Sequence, residues 1–290
     1  MVAILLHLEQ AAQRRMRFVL SRTARASSTE AQPTSLHGPA RYVAWAVCSI
    51  PVLLGFGLPV LFMLRPMLAD WNALPWDRFV QWSLNSLRLG GITAALAVGI
   101  ALTLAFFARR RGDRLASGVM QLASLGYAIP GAVVVVGLLL PVGWLQQVAP
   151  ALQAGYWVTA TLLGLVWAYL VRFCAVALQS VQSGYARITP SLDESALMLG
   201  VGGWRLMQQV HWPLLKRSTA AAALLVFVDV MKELPATLVL RPFDSDTLAV
   251  VAYQLARDER LGEAALPSLT LVVVGLLPVI LLSRTMRRNG

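Results

Sequence analysis

The chain has 290 residues, of which 57% are hydrophobic and only 13% charged. A soluble domain carries about 25% charged residues, so the composition excludes a pair of water-soluble domains and makes lipid the solvent for most of the chain. The net charge of +11 is distributed between apolar runs and not along a basic face interleaved with aromatics, which excludes nucleic acid as a partner and fits the positive bias of membrane loops on the cytoplasmic side.

Residues 1–42 read as a basic tail. The segment MVAILLHLEQAAQRRMRF has the pattern of a short amphipathic helix, and a polar Ser/Thr-rich stretch follows it. Its apolar core, Ile4 to Leu6, is too short for a signal peptide and no basic segment precedes it. The expectation is a cytoplasmic tail near the membrane surface, followed by a single membrane domain over 43–290.

Six apolar runs follow, near 43–64, 84–108, 118–144, 156–181, 218–240 and 264–283. At 1.5 Å per residue each spans roughly 30 Å of hydrocarbon as a helix. Pro51 and Pro59 in the first run and Pro130 and Pro141 in the third predict kinks. Cys48 and Cys174 both fall inside apolar runs and read as small buried hydrophobes. With the N-terminus inside, seventeen Lys and Arg residues fall in the cytoplasmic segments and six on the opposite side. This bias places both termini and the 187–217 segment in the cytoplasm.

The loops differ in character. The outer loop at 65–83 carries Trp71, Trp76 and Trp82, suited to an interfacial aromatic belt. The outer loop at 145–155 has no charge, and the one at 241–263 has enough apolar residues for a short helix lying on the outer surface. The longest charged segment between two apolar runs is 187–217, RITPSLDESALMLGVGGWRLMQQVHWPLLKR. Ser191 and Glu194 have the spacing of a capping box at a helix start. Gly200 and Gly202-Gly203 should end that helix, a second short helix should run from Trp204 to Val210, and Trp212-Pro213 should start the next element. Two short helices about a glycine elbow make a compact cytoplasmic knob between the fourth and fifth spans.

The segment resembles the cytoplasmic loop of permease subunits of ATP-binding-cassette (ABC) importers. That loop carries Glu-Ala-Ala, a Gly six residues after the Glu, and Ile-x-Leu-Pro about nine residues later. Here the matching residues are Glu194-Ser195-Ala196, Gly200 and Val210-His211-Trp212-Pro213. Ser195 replaces an Ala, Val210 an Ile, and the bulkier Trp212 a Leu. From Phe227, the stretch with Met231-Lys232-Glu233-Leu234-Pro235-Ala236-Thr237, Arg241-Pro242-Phe243 and Asp246-Thr247-Leu248 is similar to the C-terminal half of ferric-iron transport permeases.

The resemblance implies an all-α membrane protein of the type I ABC importer permease fold, with six transmembrane helices and a cytoplasmic coupling-helix loop. It also implies a set of partners: ABC ATPase subunits that bind ATP and Mg, a second permease half of the same or a homologous chain, and a periplasmic substrate-binding protein. Ferric iron is the implied cargo, with polyamine, thiamine or sulfate as alternatives. Because the match is to one half of those permeases, the chain is expected to be either a split subunit or a piece lacking a first half.

Asp229, Lys232 and Glu233 fall in the fifth apolar run at i, i+3 and i+4, with Pro235 just beyond them. Charges in a membrane cost about 2.5 kcal/mol or more each on the insertion scale and usually face the bundle interior or a watery path. These residues therefore read either as the lining or gate of a translocation path or as an internal network that locks the fifth span, with Arg172 as a candidate partner for the surplus carboxylate. A secondary transporter using the cluster as an ion relay is the rival function. No catalytic or metal-ligating pattern is present. His7, His37 and His211 are scattered, and no phosphate-binding loop of the Gly-x-x-x-x-Gly-Lys-Ser/Thr type exists, so the chain is expected to bind no cofactor and ATP hydrolysis is expected in a partner chain.

Overall fold

Packing in lipid gains little from hydrophobicity, since the tails are as apolar as leucine, and depends on how closely helix backbones approach. Helix α3 (Trp76–Arg111) presents Ala94, Ala97, Ala101 and Ala105 along one side, all nearly or fully buried. They meet α7 (Leu162–Tyr185), which buries Ala168, Ala175 and Ala177, and α10 (Trp212–Met231), which buries Ala222. These three helices share the most extensive packing among the described residues. Leu165, Tyr169, Phe173, Leu178, Val181, Leu215 and Val226 fill the spaces between them.

The computed structural model describes residues 37–111 and 114–287. The expected tail therefore lies mostly outside the described residues, although the first helix already starts at Pro39, inside the expected tail. The chain divides into a unit ending at Leu58 and a second from Pro59 onward. The first unit holds α1 (Pro39–Val52) and a π-helical turn, Leu53–Gly57. The remaining elements are α2 (Leu58–Ala69), α3, α4 (Arg114–Leu125), α5 (Gly131–Val148), α6 (Ala154–Thr159), α7, α8 (Pro190–Met198), α9 (Trp204–Leu206), α10, α11 (Pro235–Leu240), α12 (Leu248–Arg257) and α13 (Leu261–Arg287). No strand occurs among the described residues.

Among the described residues, five helical runs are long and apolar enough to cross a membrane: Pro39–Ala69, Trp76–Arg109, Gly131–Val148, Leu162–Tyr185 and Leu261–Ile280. Two of the six expected spans are broken. The run at 118–144 is α4, a 3₁₀ turn at Gly126–Ala128, and then α5. The run at 218–240 is α10, a gap at Lys232–Leu234, and then α11. Both breaks fall at a residue followed by proline, Ile129-Pro130 and Leu234-Pro235. Proline lacks the N–H that would continue the ladder, and its ring crowds the preceding residue. Where a kink was expected at Pro130, the helix stops and restarts. Pro141 is carried inside α5.

The 3₁₀ turn has a strict steric requirement. A Cβ on Gly126 would overlap the Val171 carbonyl oxygen of α7, so only glycine lets this turn lie on the α7 backbone.

The segment 241–263 forms the expected short helix, α12, but not on the surface. Leu248, Ala249, Val250, Val251 and Leu255 are buried. Val251 and Leu255 form a small core with Ala264 of α13 and Trp82 of α3. Thr247 accepts the Val250 N–H at the helix start, Ser86 accepts the Leu248 N–H at 2.9 Å, and Asn85 donates to the Asp244 and Asp246 carbonyls. The apolar side of α12 finds α13 and α3, so it has no need of lipid. Of the three tryptophans expected in a belt, Trp71 and Trp76 stack at 4.8 Å and stay exposed, while Trp82 serves this inner core.

Replacing Gly126 by Val should cost about 1–3 kcal/mol by overpacking. Gly143→Val in α5, where a Cβ meets nothing within 4 Å, should leave stability unchanged. Thermal unfolding of the two purified variants in detergent checks the contrast.

Candidate functional site

The first helix of the knob between α7 and α10 begins two residues earlier than the Ser191 cap suggests. Thr189 is the N-terminal flanking residue of α8, and Pro190, with its fixed φ, takes the first helical position. Ser191 is therefore inside the helix. Its hydroxyl donates to the Thr189 hydroxyl at 3.1 Å, and no side chain caps the helix, so the expected capping box with Glu194 does not form.

The end of α8 is closed by backbone alone. The Gly200 N–H donates to the Leu197 carbonyl at 3.0 Å and the Val201 N–H to the Ala196 carbonyl at 2.9 Å. This is a Schellman turn, and Gly200 has the left-handed φ of +77° that it requires. Gly203, also left-handed, opens α9. The chain then passes through a π-helical turn, Met207–His211, directly into α10. Trp212-Pro213 starts α10, as expected, with no break in the helix before it. Pro213 has no N–H to return to the chain before it, and the wider turn absorbs the missing bond.

The residues of this loop fall into two groups. Glu194, Ser195 and Gly200 are exposed, beside Leu197, Met198, Leu199 and Trp204, which are 54%, 89%, 83% and 62% exposed. Ala196 is buried and packs inward. Val210, Trp212 and Pro213 lie on the continuous stretch leading into α10, with Trp212 and Pro213 exposed. Behind the knob, Leu102, Phe106 and Phe107 of α3 and Trp204, Met207 and Trp212 line an apolar cavity of about 540 Å³.

One guanidinium fixes the knob to the bundle. Arg109, near the end of α3, donates from Nε to Asp193 Oδ2 of α8 at 2.6 Å. Its other nitrogens donate to the carbonyls of Tyr185 at 3.4 Å, Ile188 at 2.9 Å and Thr189 at 3.2 Å. Tyr185 ends α7, and Ile188 and Thr189 lie in the short link to α8, outside any helical ladder. The second oxygen of Asp193 meets His211 Nε2 at 2.9 Å, and His211 Nδ1 lies 3.3 Å from the Tyr185 hydroxyl. His211 is fully buried, edge-on to Tyr185 and Phe106. Partial burial works against the charge on Asp193, but the hydrogen bonds from Arg109 and His211 outweigh it and hold the carboxyl below its ordinary value.

A second polar joint sits where the two broken spans meet. Glu233 is buried, forms an ion pair with Arg172 of α7, and accepts the Ala236 N–H of α11 at 3.2 Å. A Cβ on Gly131, at the start of α5, would lie 3.0 Å from an Arg172 nitrogen and would press on Glu233 Oε1. Glycine there lets the first turn of α5 approach the pair. Thr237 donates to the Glu233 carbonyl, and the Tyr169 and Thr237 hydroxyls meet at 2.6 Å, fixing α11 to α7.

Asp229, Lys232 and Glu233 do not share one helix face. The helix ends at Met231 because Pro235 cannot extend it, and Glu233 turns inward beyond that end. Lys232 and Asp229 stay together at 3.8 Å and are more open, with side chains 51% and 26% exposed. Pro235 takes the first turn of α11. The sequence reading missed Arg109, Asp193, His211, Tyr169 and Thr237 as site residues. For Arg109, the available signal was a charged residue at the very end of an apolar run, able to reach a carboxylate in the next polar segment.

A family model described as the binding-protein-dependent transport system inner membrane component matches residues 95–288. The Fe(3+)-transport system permease protein FbpB 2 of Haemophilus influenzae is 26% identical over 80% of this chain, and the chain covers 45% of its length. A putative 2-aminoethylphosphonate transport system permease protein, PhnV, of Salmonella typhimurium is also 26% identical, over 86% of this chain and 96% of its own length. The maltose/maltodextrin transport system permease protein MalG of Vibrio parahaemolyticus is 30% identical over 59% of this chain and 56% of its own. Among solved structures, a chain of a bacterial alginate ABC transporter in complex with an alginate pentasaccharide-bound periplasmic protein superposes with a TM-score of 0.64 at 15% identity, covering 86% of this chain and 94% of that one. The helical bundle, the exposed loop and a family match over most of the chain agree, and the chain belongs to the binding-protein-dependent transport system inner membrane component family, the permease subunits of ABC importers.

Proposed function

We propose that the 187–217 loop docks this permease onto a separate ATPase subunit that binds ATP and Mg, and that the chain forms one side of a translocation path with a second permease half. The observation that carries the docking role is the exposed apolar tip Leu197-Met198-Leu199, with Trp204 beside it. It lies outside the candidate spans, where lipid does not cover it, and an exposed apolar patch of this kind suits a protein partner. Glu194 at its edge and the Gly200 turn fix its shape. The excess of Lys and Arg on the loop side supports a cytoplasmic position for this loop and for both chain termini. A periplasmic binding protein would then deliver cargo to the opposite side, at the end where α12 is anchored to α3.

Ferric iron is the proposed cargo. Its support is the similarity of 227–284 to ferric-iron permeases and the relative from Haemophilus influenzae. In the proposed path, the accessible pair Asp229 and Lys232 is the lining element, and the Arg172–Glu233 pair with Pro235 holds the joint behind it. An ion-gradient carrier has little left to stand on, since the three charges it would use as a relay are divided between two sites.

Gly200→Asp places a charge on the apolar tip, and Glu194→Lys reverses the charge at its edge. Both variants should insert into the membrane normally, yet lose ATP-dependent uptake of ferric iron by cells carrying the complete system. Uptake unchanged in both would remove the docking role. For the joint, Arg172→Ala leaves Glu233 buried without its partner and should cost about 3–5 kcal/mol of stability. The double change Arg172→Leu with Glu233→Gln should recover most of that loss, as thermal unfolding in detergent would read out.

A further inference from the structure

Arg109 and Asp193 do not contribute to the exposed tip. They lie beneath it, 19% exposed each, and together with His211 they join four elements at one point. Asp193 belongs to α8, which carries the tip. Arg109 belongs to α3 and also holds the Tyr185 carbonyl at the end of α7 and the Ile188 and Thr189 carbonyls of the link to α8. His211 lies at the entry to α10. The helices reached in this way, α3, α7 and α10, are the three that pack most extensively in the bundle.

The chain itself links α8 to α7 through residues 186–189 and to α10 through α9. It provides no covalent link from α8 to α3, which lies 84 positions away in sequence. The connection to α3 is carried by the Arg109–Asp193 pair and the Arg109 bonds to the α7 end and the link beyond it. The charge-assisted bond from Arg109 Nε to Asp193 is about twice as strong as a neutral hydrogen bond, and the planar guanidinium, held also by the backbone carbonyls, fixes its direction.

We infer that Arg109 and Asp193 form a clamp that makes α3 move with the docking knob, so that a push on α8 is delivered to the three-helix core as one body. This rests on the docking role proposed above and adds the route by which the push reaches α3. Asp193 and Arg109 are positioning residues. Asp193→Asn removes the charge while leaving the exposed tip unaltered. It should leave the knob attached to α7 and α10 but free to shift against α3.

The test uses the complete complex with its ATPase and second permease half in nanodiscs. Spin labels are placed on this chain at Leu192→Cys in α8 and Phe107→Cys in α3, both exposed, with Cys48→Ser to remove the exposed native thiol. Distances are compared between the nucleotide-free state and the state trapped with ATP and vanadate. In the parent the separation should be the same in both states. In Asp193→Asn it should shift or broaden on trapping, while the ATPase still co-purifies. Arg109→Lys, which keeps the charge but loses the planar guanidinium, should show the same loss of a fixed separation and serves if Asp193→Asn does not assemble. A separation that already changes in the parent, or that stays fixed in both variants, overturns the clamp. So does loss of the ATPase from Asp193→Asn, which would make Asp193 a docking residue. Retention of the ATPase by Gly200→Asp bears on the docking role alone.

Discussion

Backbone polar groups freed inside a membrane protein have no water to turn to, so each must find a partner within the chain. This constraint accounts for most of the specific features of the structure. Proline stops two spans, at Ile129-Pro130 and Leu234-Pro235, and the chain brings both breaks to one place. There the Glu233 carboxylate accepts the Ala236 N–H and Arg172 neutralises it. At and just past the end of α7, the Tyr185, Ile188 and Thr189 carbonyls are met by Arg109. At the end of α8, where solvent is near, the backbone closes on itself around Gly200. Three helix ends are thus satisfied by three different means, matched to how deeply each is buried.

The charged side chains that provide these bonds also connect elements. Glu233 and Arg172 join α7, α11 and the first turn of α5, and Arg109 with Asp193 joins α3, α7, α8 and, through His211, the entry to α10. Between the two joints lies the alanine-lined contact of α3, α7 and α10, where close backbone approach replaces the hydrophobic drive that water would supply. A membrane permease must change shape without exposing these polar groups to lipid. Arg109, Asp193 and Glu233 sit at or just beyond helix ends, and Arg172, in the middle of α7, is neutralised there by Glu233.

Much of this was legible in the sequence because it is governed by local chemistry. The glycine that ends α8, the proline breaks and the two short helices of the 187–217 loop all follow from residue types within a few positions of one another. Arg172 was identified by charge alone, because a surplus carboxylate in an apolar run needs a cation and few were available. The Arg109–Asp193–His211 group was not legible. Its members are 84 and 18 positions apart, and Asp193 sits where a helix dipole explains a carboxylate equally well. The burial of α12 was missed for a related reason. An amphipathic segment shows that it needs an apolar neighbour, but whether that neighbour is lipid or α13 is decided by the tertiary fold.

The π-helical turn at Met207–His211 has a further consequence. An α-helix advances about 100° per residue, and a turn widened by one residue resets the angular phase of everything after it. The tip before the turn and the span after it therefore need not keep a common hydrophobic period. A relative that lacks the widened turn would be expected to align with this chain only through a one-residue gap there. Evolution can rotate one side of the turn against the other by adding or removing that single residue.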